Sequence, residues 1–466
     1  MKKLLAVAIA LGLTGFLSVV GYVHVFDKEQ SSKMLASSQV AQGQERVAKA
    51  LFDNGCQYCH APSTELPFYS KLPVIGSILA SDIEKGNRFF RLDRLIEGMK
   101  DPSKLSEADL AKLERVIQND EMPIASFIHL HWGSRPDADE KQAIIDWIHQ
   151  QRAAHFLPKE TQGVDATRLV QPIPDKLETN PHKVKLGDQL FHDGRLSGDG
   201  TIQCHTCHQL ANGGVDGLQF STGIDGQKGG INAPTVYNAA FNFMQFWDGR
   251  AATLADQAAG PPLNPIEMGS KNWQEIIDKI QQDEVFMKEF LAVYPALTKE
   301  TITESIAEFE KTLITPNSAF DKYLKGDENA LTDVQKRGYE QFKAAKCDTC
   351  HTGTAMGGRS FEYMGLYGDY FKDRGTPLTE ADQGRFAQTQ DPYDMHRFKV
   401  PTLRNVALTA PYMHDGSVTD LKEAVRIMAV YQSGKNLDDT ALHEITEFLK
   451  ALTGEHNGKV LTLEKK

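Results

Sequence analysis

The feature that most constrains this chain of 466 residues is the short pattern Cys-x-x-Cys-His, which occurs three times. The copies are Cys56, Cys59 and His60; Cys204, Cys207 and His208; and Cys347, Cys350 and His351, and together they use all six cysteines. This pattern attaches haem c through two thioether bonds and supplies the proximal histidine of the iron. The alternative is zinc, but zinc usually takes two Cys-x-x-Cys half-sites per metal, and three copies do not pair. We therefore expect three covalently bound haem c groups.

The N-terminus begins Met-Lys-Lys and continues as an uncharged apolar run over residues 4–26. As a helix this run can cross the ~30 Å of a bilayer core, and it exceeds the ~7–15 apolar residues usual in a secretory signal. The small residues around 34–37 leave a cleaved signal as the alternative. Lys2 and Lys3 favour a cytoplasmic start. The sequence thus predicts an inner-membrane anchor over residues 1–26, with the haem-bearing remainder in the periplasm.

The remaining chain divides around the three haem motifs. We predict a polar linker over 27–41, a first haem domain over 42–157, a proline-containing linker over 158–178, a second haem domain over 179–315 and a third over 316–466. Apolar residues recur at helical spacing in two segments, 144–148 and 442–452. Runs of alternating β-branched residues, which would predict strands, are scarce. The predicted fold is mainly α, with three cytochrome c-like domains behind one transmembrane helix. The net charge of −11 argues against nucleic acid as a partner.

The last two domains share an internal repeat. The segment from Asn232 (NAPTVYNAAFNFMQFWDGRAATL) aligns without a gap with the segment around Pro401 (VPTLRNVALTAPYMHDGSVTDL) at a constant offset, 401 − 234 = 167. Pro234, Asn238, Asp248 and Gly249 all fall on identical residues. The second and third haem domains are therefore predicted to be an internal duplication, and their differences should separate their roles.

The largest difference follows the repeat. The third domain continues as a helical stretch carrying Met428, and a thioether is a common sixth ligand in electron-transfer cytochromes. Met356 and Met364 are the competing ligands. The second domain has Pro261 where Met428 stands, with Gln257 and Glu267 nearby. A carboxylate and an amide beside an open iron suit proton transfer and hydrogen bonding to a peroxide, although Met268 remains an alternative ligand.

The first domain offers several sixth ligands in the stretch VIQNDEMPIASFIHLHWG. Met122, followed by proline ahead of the last helix of the domain, is the expected ligand because small c-type cytochromes usually place it there. His129 and His131 are the alternatives, and Met99 lies upstream.

From about residue 180 to 450 the chain closely resembles the bacterial dihaem cytochrome c peroxidases. The resemblance rests on CHTCH with GGVDG, KGGINAPTVYNAAFN, QFWDGRA, VPTLRNVALTAPYMHDG and Met428. The N-terminal region resembles small haem-binding domains, and the whole chain is similar to the membrane-anchored three-haem quinol peroxidases. The resemblance implies a peroxidatic haem on His208, an electron-transferring haem on His351 and Met428, and a distal catalytic pair, Gln257 and Glu267.

The resemblance also implies two features that the residues alone do not indicate. Trp247 would lie between the two haems and assist electron transfer. Asn232, with the backbone carbonyls of Thr409 and Pro411, would bind a calcium ion between the domains, and such oxygen ligands suit calcium.

One position departs from the family pattern. Many relatives carry a distal histidine in the loop after the peroxidatic motif, where this chain has Ile224 in STGIDGQKGG. We therefore expect a haem with a vacant sixth position that needs no reductive activation.

The expected function is reduction of hydrogen peroxide to water. Electrons would come from membrane quinol through the other two haems, or alternatively from a small soluble cytochrome c. A multihaem electron carrier without peroxidase activity is the non-enzymatic alternative. Relatives that oxidise a protein substrate typically carry tyrosine at the position of Met428, which argues against that activity.

Overall fold

The computed structural model describes residues 1–160, 165 and 167–463. The chain divides into two compact units, Met1–Phe156 and Leu157–Lys466. Both are mainly helical, which confirms the predicted fold class. Residues 161–164 and 166 of the predicted second linker, and residues 464–466 at the end of the predicted third domain, lie outside the described residues.

The first unit is entirely helical over its described residues. Its α-helices are α1 Lys2–Ser38, α2 Glu45–Asp53, α3 Gln57–His60, α4 Pro73–Phe89, α5 Leu92–Lys100, α6 Glu107–Gln118, α7 Ala125–Ile128 and α8 Ala138–His155, with 3₁₀ turns at Phe68–Lys71 and Pro102–Lys104. The core is formed mainly by apolar faces of α2, α5, α6 and α8. Helix α8 begins with a reciprocal capping box between Asp137 and Glu140, which satisfies free N–H groups at its start.

Helix α1 contains the apolar run, and it is the one helix in the described chain that is long and apolar enough to cross a membrane. The predicted linker over 27–41 differs from the structure, because α1 continues without a break to Ser38. The polar residues beyond the apolar run find partners within the first unit. Asp27 accepts a hydrogen bond from the Tyr58 hydroxyl at 2.8 Å, and Gln30 donates to Glu65 at 3.0 Å. These bonds make the end of α1 part of the haem-binding unit.

The second unit holds the other two haem motifs. Its α-helices are α9 Pro181–Phe191, α10 Cys204–Cys207, α11 Leu254–Ala258, α12 Trp273–Gln281, α13 Glu284–Leu291, α14 Lys299–Glu310, α15 Ala319–Leu324, α16 Asp333–Ala344, α17 Tyr370–Arg374, α18 Phe386–Thr389, α19 Leu421–Ser433 and α20 Asp439–Lys450. Two antiparallel pairs join strands β1 Phe361–Tyr363 to β2 Arg397–Lys399 and β3 Glu455–His456 to β4 Lys459–Val460. Its 3₁₀ turns are Gly194–Leu196, Leu210–Asn212, Ile224–Gly226, Ala239–Phe241, Pro261–Leu263, Cys347–Thr349, Glu380–Gln383, Pro392–Asp394 and Val406–Leu408.

The duplication is visible in the helix pairs that precede and follow each repeat. Helix α9 packs against α14, and α16 packs against α20. A glycine makes each close approach possible. A Cβ on Gly187 would lie 1.9 Å from the Ser305 carbonyl oxygen, and a Cβ on Gly338 would lie 1.9 Å from the Glu444 carbonyl oxygen. The same backbone contact, made twice, shows that the two halves share one packing scheme.

The repeat is also reproduced in the backbone. Asn238 and Asn405 both adopt the left-handed conformation, with φ of 62° and 63°, which asparagine tolerates better than most residues. Both side chains donate to the Thr315 hydroxyl, at 2.8 Å and 3.0 Å. Thr315 therefore lies where the two copies meet, and the two asparagines join them.

The second half of the predicted linker 158–178 is not a free connection. Val170 is buried and forms a parallel bridge with Gly353, just after the third haem motif. The Gln171 carbonyl accepts a hydrogen bond from the buried guanidinium of Arg404 at 2.9 Å. Val170 and Gln171 are therefore buried parts of the core around the third haem motif.

Candidate active site

The second haem motif begins on the single helical turn α10, and its histidine follows that turn directly. The backbone N–H of Gln203 donates to the Thr206 hydroxyl at 3.0 Å, which fixes the start of the turn. Burial lowers the pKa of His208. Since neutral imidazole is the form that binds iron, His208 is suited to be a proximal ligand.

The carboxylate of Glu267 lies beside this motif in a half-buried position. Burial raises the pKa of the Cys207 thiol, and the charges of Asp216 and Glu267 add to that rise. Asn264 donates its side-chain amide to Glu267 Oε1 at 2.7 Å. Burial raises the pKa of Glu267, while the charge of Arg250 and the Asn264 hydrogen bond oppose the rise. A carboxyl group whose pKa is raised is better suited to take up and return a proton than an ordinary surface carboxylate.

Gln257 lies half-buried on α11, near the point where that helix stops. Pro261 and Pro262 follow in a 3₁₀ turn, because proline cannot continue a helix. In the other copy α19 runs on to Ser433 and carries Met428 in its third turn. The helix that presents Met428 in one copy is therefore cut short in the other, and Gln257 and Glu267 flank the turn that replaces it.

Ile224 is held against the Glu267 segment. Its backbone N–H donates to the Glu267 carbonyl at 2.8 Å, and its side chain is buried. The side chain fits against Gly198 and Gly269, where an added Cβ would lie 3.3 Å and 3.0 Å from Ile224 Cδ1. Ile224 is thus a packed aliphatic side chain beside the Glu267 segment.

Trp247 contacts both copies of the duplication. Its indole N–H donates to the Asn232 carbonyl at 2.9 Å, and its own carbonyl accepts from the Lys399 N–H at 2.8 Å. The ring meets Phe398 edge-on at 6.4 Å and packs in the same apolar cluster as Met428. The Trp247 side chain therefore connects the backbone of the second haem domain to the residues around Met428, the predicted ligand of the third haem.

The third motif places His351 with one ring nitrogen bonded to backbone. Its Nδ1 donates to the Met356 carbonyl at 3.1 Å, which leaves Nε2 for a metal. Burial lowers the pKa of His351 to about 4. Met356 packs in the core behind this ring, and the Met364 sulfur accepts a hydrogen bond from Gln432 at 3.5 Å. Met428, which packs in the same apolar cluster as Met364, stays the expected sixth ligand.

In the first motif, as in the third, the Nδ1 atom of the proximal histidine bonds to backbone carbonyl oxygens. His60 Nδ1 lies 3.1 Å from the carbonyl oxygens of both Gly86 and Phe90, at the end of α4. Burial lowers the pKa of His60, and the two carbonyls oppose this effect. Because the carbonyls hold Nδ1 as the protonated nitrogen, Nε2 keeps its lone pair for iron.

The three candidates for the sixth ligand of the first haem differ in their contacts. His131 is buried, and both of its ring nitrogens have partners: Asp27 at 2.8 Å and the Tyr69 hydroxyl at 2.5 Å. Iron binding would require breaking one of these bonds. Met122 and His129 are both exposed on the loop before α8. The arrangement argues against His131 and leaves Met122 as the expected ligand, with His129 as its alternative.

Asn232 links the two copies where calcium is expected. Its backbone N–H donates to the His414 carbonyl at 2.8 Å, on the loop that carries Thr409 and Pro411. Its side-chain amide donates to the Leu218 carbonyl at 3.0 Å. No group of three or more acidic, histidine or cysteine side chains that could hold a metal occurs among the described residues. Calcium at Asn232 would therefore rely mainly on neutral oxygen ligands, which it accepts.

The residues present fit covalently attached haem. All six cysteines are free of disulfide bonds and partly buried. Burial raises the pKa of Cys56, Cys204 and Cys347 to about 12. Each motif histidine is half-buried, and burial lowers its pKa. The donor set therefore matches three haem c groups.

Sequence reasoning missed groups that tune the site. Asn264 positions Glu267, and Arg250 acts on its charge while its guanidinium lies 3.4 Å from the centre of the Phe246 ring. The Asn-Pro-x-Glu spacing and the Asp-Gly-Arg of the repeat were the available signals. Lys399, whose pKa burial lowers to about 8, gave no signal because burial depends on tertiary structure.

Comparison with known proteins identifies the family. Residues 181–329 match the model for di-haem cytochrome c peroxidase, and residues 15–150 match a haem-binding domain. The chain is 47% identical over 457 residues to the cytochrome c peroxidase Ccp of Escherichia coli, covering 97% of this chain and 98% of that protein. The chain belongs to the cytochrome c peroxidase family. It carries an extra N-terminal haem-binding domain, and it is an oxidoreductase that reduces hydrogen peroxide.

A further relative and a solved structure each match more than half of the chain. A cytochrome c551 peroxidase of Nitrosomonas europaea is 43% identical over 295 residues, covering 62% of this chain and 85% of that protein. A crystal structure of a MauG-like protein associated with microbial copper homeostasis is 29% identical, with a TM-score of 0.54, and the match covers 64% of this chain and 95% of that one. The family assignment sets aside the alternative of an electron carrier without peroxidase activity.

Proposed function

We propose that hydrogen peroxide is reduced beside His208, with Glu267 and Gln257 as the distal catalytic pair and with electrons supplied through the His351 and His60 haems. The observation that carries this proposal is the difference between the copies after the repeat. Helix α19 presents Met428, whereas α11 ends before Pro261 and leaves a carboxylate and an amide near that turn. A capped haem suits electron transfer, and an uncapped one suits substrate binding.

Haem held at the three motifs would supply the iron chemistry and the two electrons that the reduction of peroxide consumes. Glu267 takes a proton from one peroxide oxygen and returns it to the other, so that the departing oxygen leaves as water. With two protons and two electrons, one peroxide gives two waters. Asn264 holds the carboxylate in place through its 2.7 Å hydrogen bond, and Gln257 hydrogen-bonds the peroxide.

Ile224 supports activity without prior reduction. A buried aliphatic side chain, bonded through its backbone to Glu267, offers no ligand to the sixth position. We expect the oxidised enzyme to show a high-spin haem and to react with peroxide directly. Replacing Ile224 with histidine should convert that haem to a low-spin form that responds only after reduction, and Ile224→Val is the matched control. A low-spin, unreactive haem in the unmodified oxidised enzyme would contradict the proposal.

We infer that the electron donor is a membrane quinol. The first haem motif and α1 belong to one folded unit, because Tyr58, within the motif, bonds to Asp27 on the helix. A haem held this close to an apolar helix is suited to receive electrons from a lipid-soluble donor. A small soluble cytochrome c is the alternative.

The donor is tested with the full chain in vesicles of phosphatidylethanolamine and phosphatidylglycerol. Peroxide-dependent oxidation of a reduced quinol analogue should proceed steadily, with one quinone formed per peroxide consumed. Turnover sustained by a reduced soluble cytochrome c, with no oxidation of the quinol, would favour the alternative.

We propose further that α1 remains attached as an anchor. Cleavage near residues 34–37 would remove Asp27, which bonds to Tyr58 and to His131, and would leave that buried histidine without one partner. The mass of the mature holoprotein tests this directly. An N-terminus after residue 34 would show that the apolar segment is a signal.

We also propose calcium between the copies, held by Asn232 with the carbonyls of Thr409 and Pro411. Support comes from the bond of the Asn232 N–H to the His414 carbonyl, which holds Asn232 against the loop that carries Thr409 and Pro411. Calcium titration of chelator-treated holoenzyme should raise its melting temperature, and Asn232→Ala should abolish the rise. An unchanged melting temperature with and without calcium would remove the ion from the scheme.

A further inference from the structure

The first unit exposes large apolar side chains in one continuous stretch. They are Phe68, Leu72, Val74, Ile75 and Ile78, and Val74 and Ile78 are 72% and 58% exposed. No charged residue occurs between Lys71 and Asp82. Single exposed apolar residues are ordinary, but a contiguous group on a folded unit marks a surface that contacts something else. These five residues are called the apolar patch below.

The patch belongs mainly to the first turns of α4. Val74, Ile75 and Ile78 are spaced so that their side chains lie on one side of the helix. Gly76, between them, fits against the Ser70 carbonyl, from which an added Cβ would lie 2.3 Å away. The turn before α4 is therefore packed against the helix, and the patch is a fixed surface.

Aromatic contacts connect this region to α1. Phe68 meets Tyr22 edge-on at 5.3 Å. Trp132, which is 51% exposed, meets Phe16 at 6.2 Å. The patch and Trp132 thus lie alongside the apolar segment of α1 rather than beyond its end.

The length of the apolar segment of α1 determines how deep in the bilayer the contacts of Phe16 and Tyr22 lie. From Leu4 to Gly15 the helix covers only about 18 Å at ~1.5 Å per residue, and the hydrocarbon core is ~30 Å thick. To cross the core, α1 must use residues beyond Phe16, as far as about Val23. The partners of Phe16 and Tyr22 are then at the level of the membrane. Tryptophan and tyrosine, such as Trp132 and Tyr22, are enriched at the lipid–water interface.

We propose that the apolar patch contacts lipid and seats the first unit in the surface of the bilayer that α1 enters. This inference rests on the proposed anchor. Lys71, exposed at the edge of the patch, can reach lipid phosphates while its alkyl stem stays in the apolar zone. The surface is continuous with the membrane span, which distinguishes lipid from a soluble protein partner.

The patch also sets the distance between lipid and haem. The other end of α4 carries the Gly86 carbonyl, which bonds to His60 Nδ1 at 3.1 Å. Gly86 has no side chain to separate α4 from the haem motif, since a Cβ would lie 2.5 Å from the Cys59 carbonyl oxygen. From Val74 to Gly86 the helix spans about 18 Å. One rigid helix therefore links the lipid surface to the proximal ligand of the first haem.

The experiment uses spin labels on the full holoprotein in vesicles of phosphatidylethanolamine and phosphatidylglycerol. All six native cysteines carry thioether bonds in the holoprotein, so one introduced cysteine is the sole free thiol. Val74→Cys and Ile78→Cys report on the patch, Glu84→Cys on the same helix is the matched control, and Gly12→Cys reports on α1. Collision with oxygen, which concentrates in lipid, is compared with collision with a water-soluble nickel chelate.

We expect oxygen-dominated collision at positions 74, 78 and 12 and nickel-dominated collision at 84. Nickel-dominated collision at 74 and 78, with 12 still oxygen-dominated, would overturn the lipid surface and leave the anchor intact. Labels at 74 and 78 shielded from both reagents would also overturn it, because protein, such as a second copy of the chain, would then cover the patch. Nickel-dominated collision at position 12 would contradict the anchor itself.

Discussion

The two copies of the duplicated haem fold differ most where one helix stops and its counterpart continues. Up to that point the copies share a packing scheme: Gly187 and Gly338 allow the same close approach of helices, and Asn238 and Asn405 bond to the same threonine. Beyond it, Pro261 occupies the position equivalent to Met428. This difference in helix length is the basis of the proposal that one haem binds substrate and the other transfers electrons.

The largest expected effect comes from removing the acid–base group that only one copy has. Replacing Glu267 with glutamine should lower peroxide turnover by ~10²–10⁴, the usual contribution of general acid–base catalysis, while all three haems remain attached. Stopped-flow turnover and haem absorbance measure the two properties separately. Asp278→Asn, at an exposed carboxylate of the same copy, is the control. Full turnover in the glutamine variant would remove Glu267 from the mechanism.

The next effect concerns the ligand of the other copy. Met428→Leu keeps the apolar packing in its cluster but removes the thioether. The His351 haem should become high-spin and its reduction potential should fall, within the ~0.8 V range that axial ligands control. Electron paramagnetic resonance and redox titration test this, with Met287→Leu as the control. A low-spin spectrum in the variant would mean that another residue binds the iron.

A smaller effect tests whether the copies share their packing. Gly187→Ala and Gly338→Ala should each destabilise the fold by about 1–3 kcal/mol, the usual cost of overpacking, because each Cβ would meet a carbonyl oxygen at 1.9 Å. Thermal unfolding of the holoprotein measures the loss. Gly230→Ala, with open space around its Cβ, should leave the melting temperature nearly unchanged. Unequal losses in the two glycine variants would show that the copies have diverged in their scaffold as well.

The smallest effect is a shift in pH dependence. Arg250 lowers the pKa of Glu267, so Arg250→Gln should let that pKa rise and move the acid limb of kcat/KM to higher pH. The shift should be roughly 0.1–0.7 pH unit, because an exposed charge contributes ~0.2–1 kcal/mol and one unit equals ~1.36 kcal/mol. Lys299→Gln, an exposed cation elsewhere, is the control. A shift to lower pH would contradict the assigned interaction.

Much of the fold could be predicted because its signals are local. The three haem motifs, the apolar run and the helical spacing near the C-terminus each depend on short stretches of sequence. The duplication was predictable as well, since an ungapped alignment of two segments needs no structural knowledge. The conformation of the predicted linker over 27–41 was not given by its sequence: α1 extends through most of it to Ser38, and its polar residues bond to groups far away in the sequence, such as Tyr58.

Some residues of the candidate site could likewise be predicted from the sequence, and others required the structure. Glu267 and Gln257 follow from aligning the copies, and both lie at the turn that replaces the longer helix. The partners that tune Glu267, Asn264 and Arg250, required the structure, because a hydrogen bond and a charge effect depend on distance. For the first haem, sequence left Met122, His129 and His131 open, and only the contacts of His131 with Asp27 and Tyr69 argue against that histidine.

The sequence by itself determined that this chain binds three haem c groups and that two of its domains are copies, because covalent attachment and duplication are both recorded in residue identity. Tertiary structure decided which groups surround each haem motif, how the copies join at Thr315, and that the end of α1 is part of the first unit. Those properties depend on burial and on contacts between distant residues, where free energies are set by neighbours that the linear sequence does not specify.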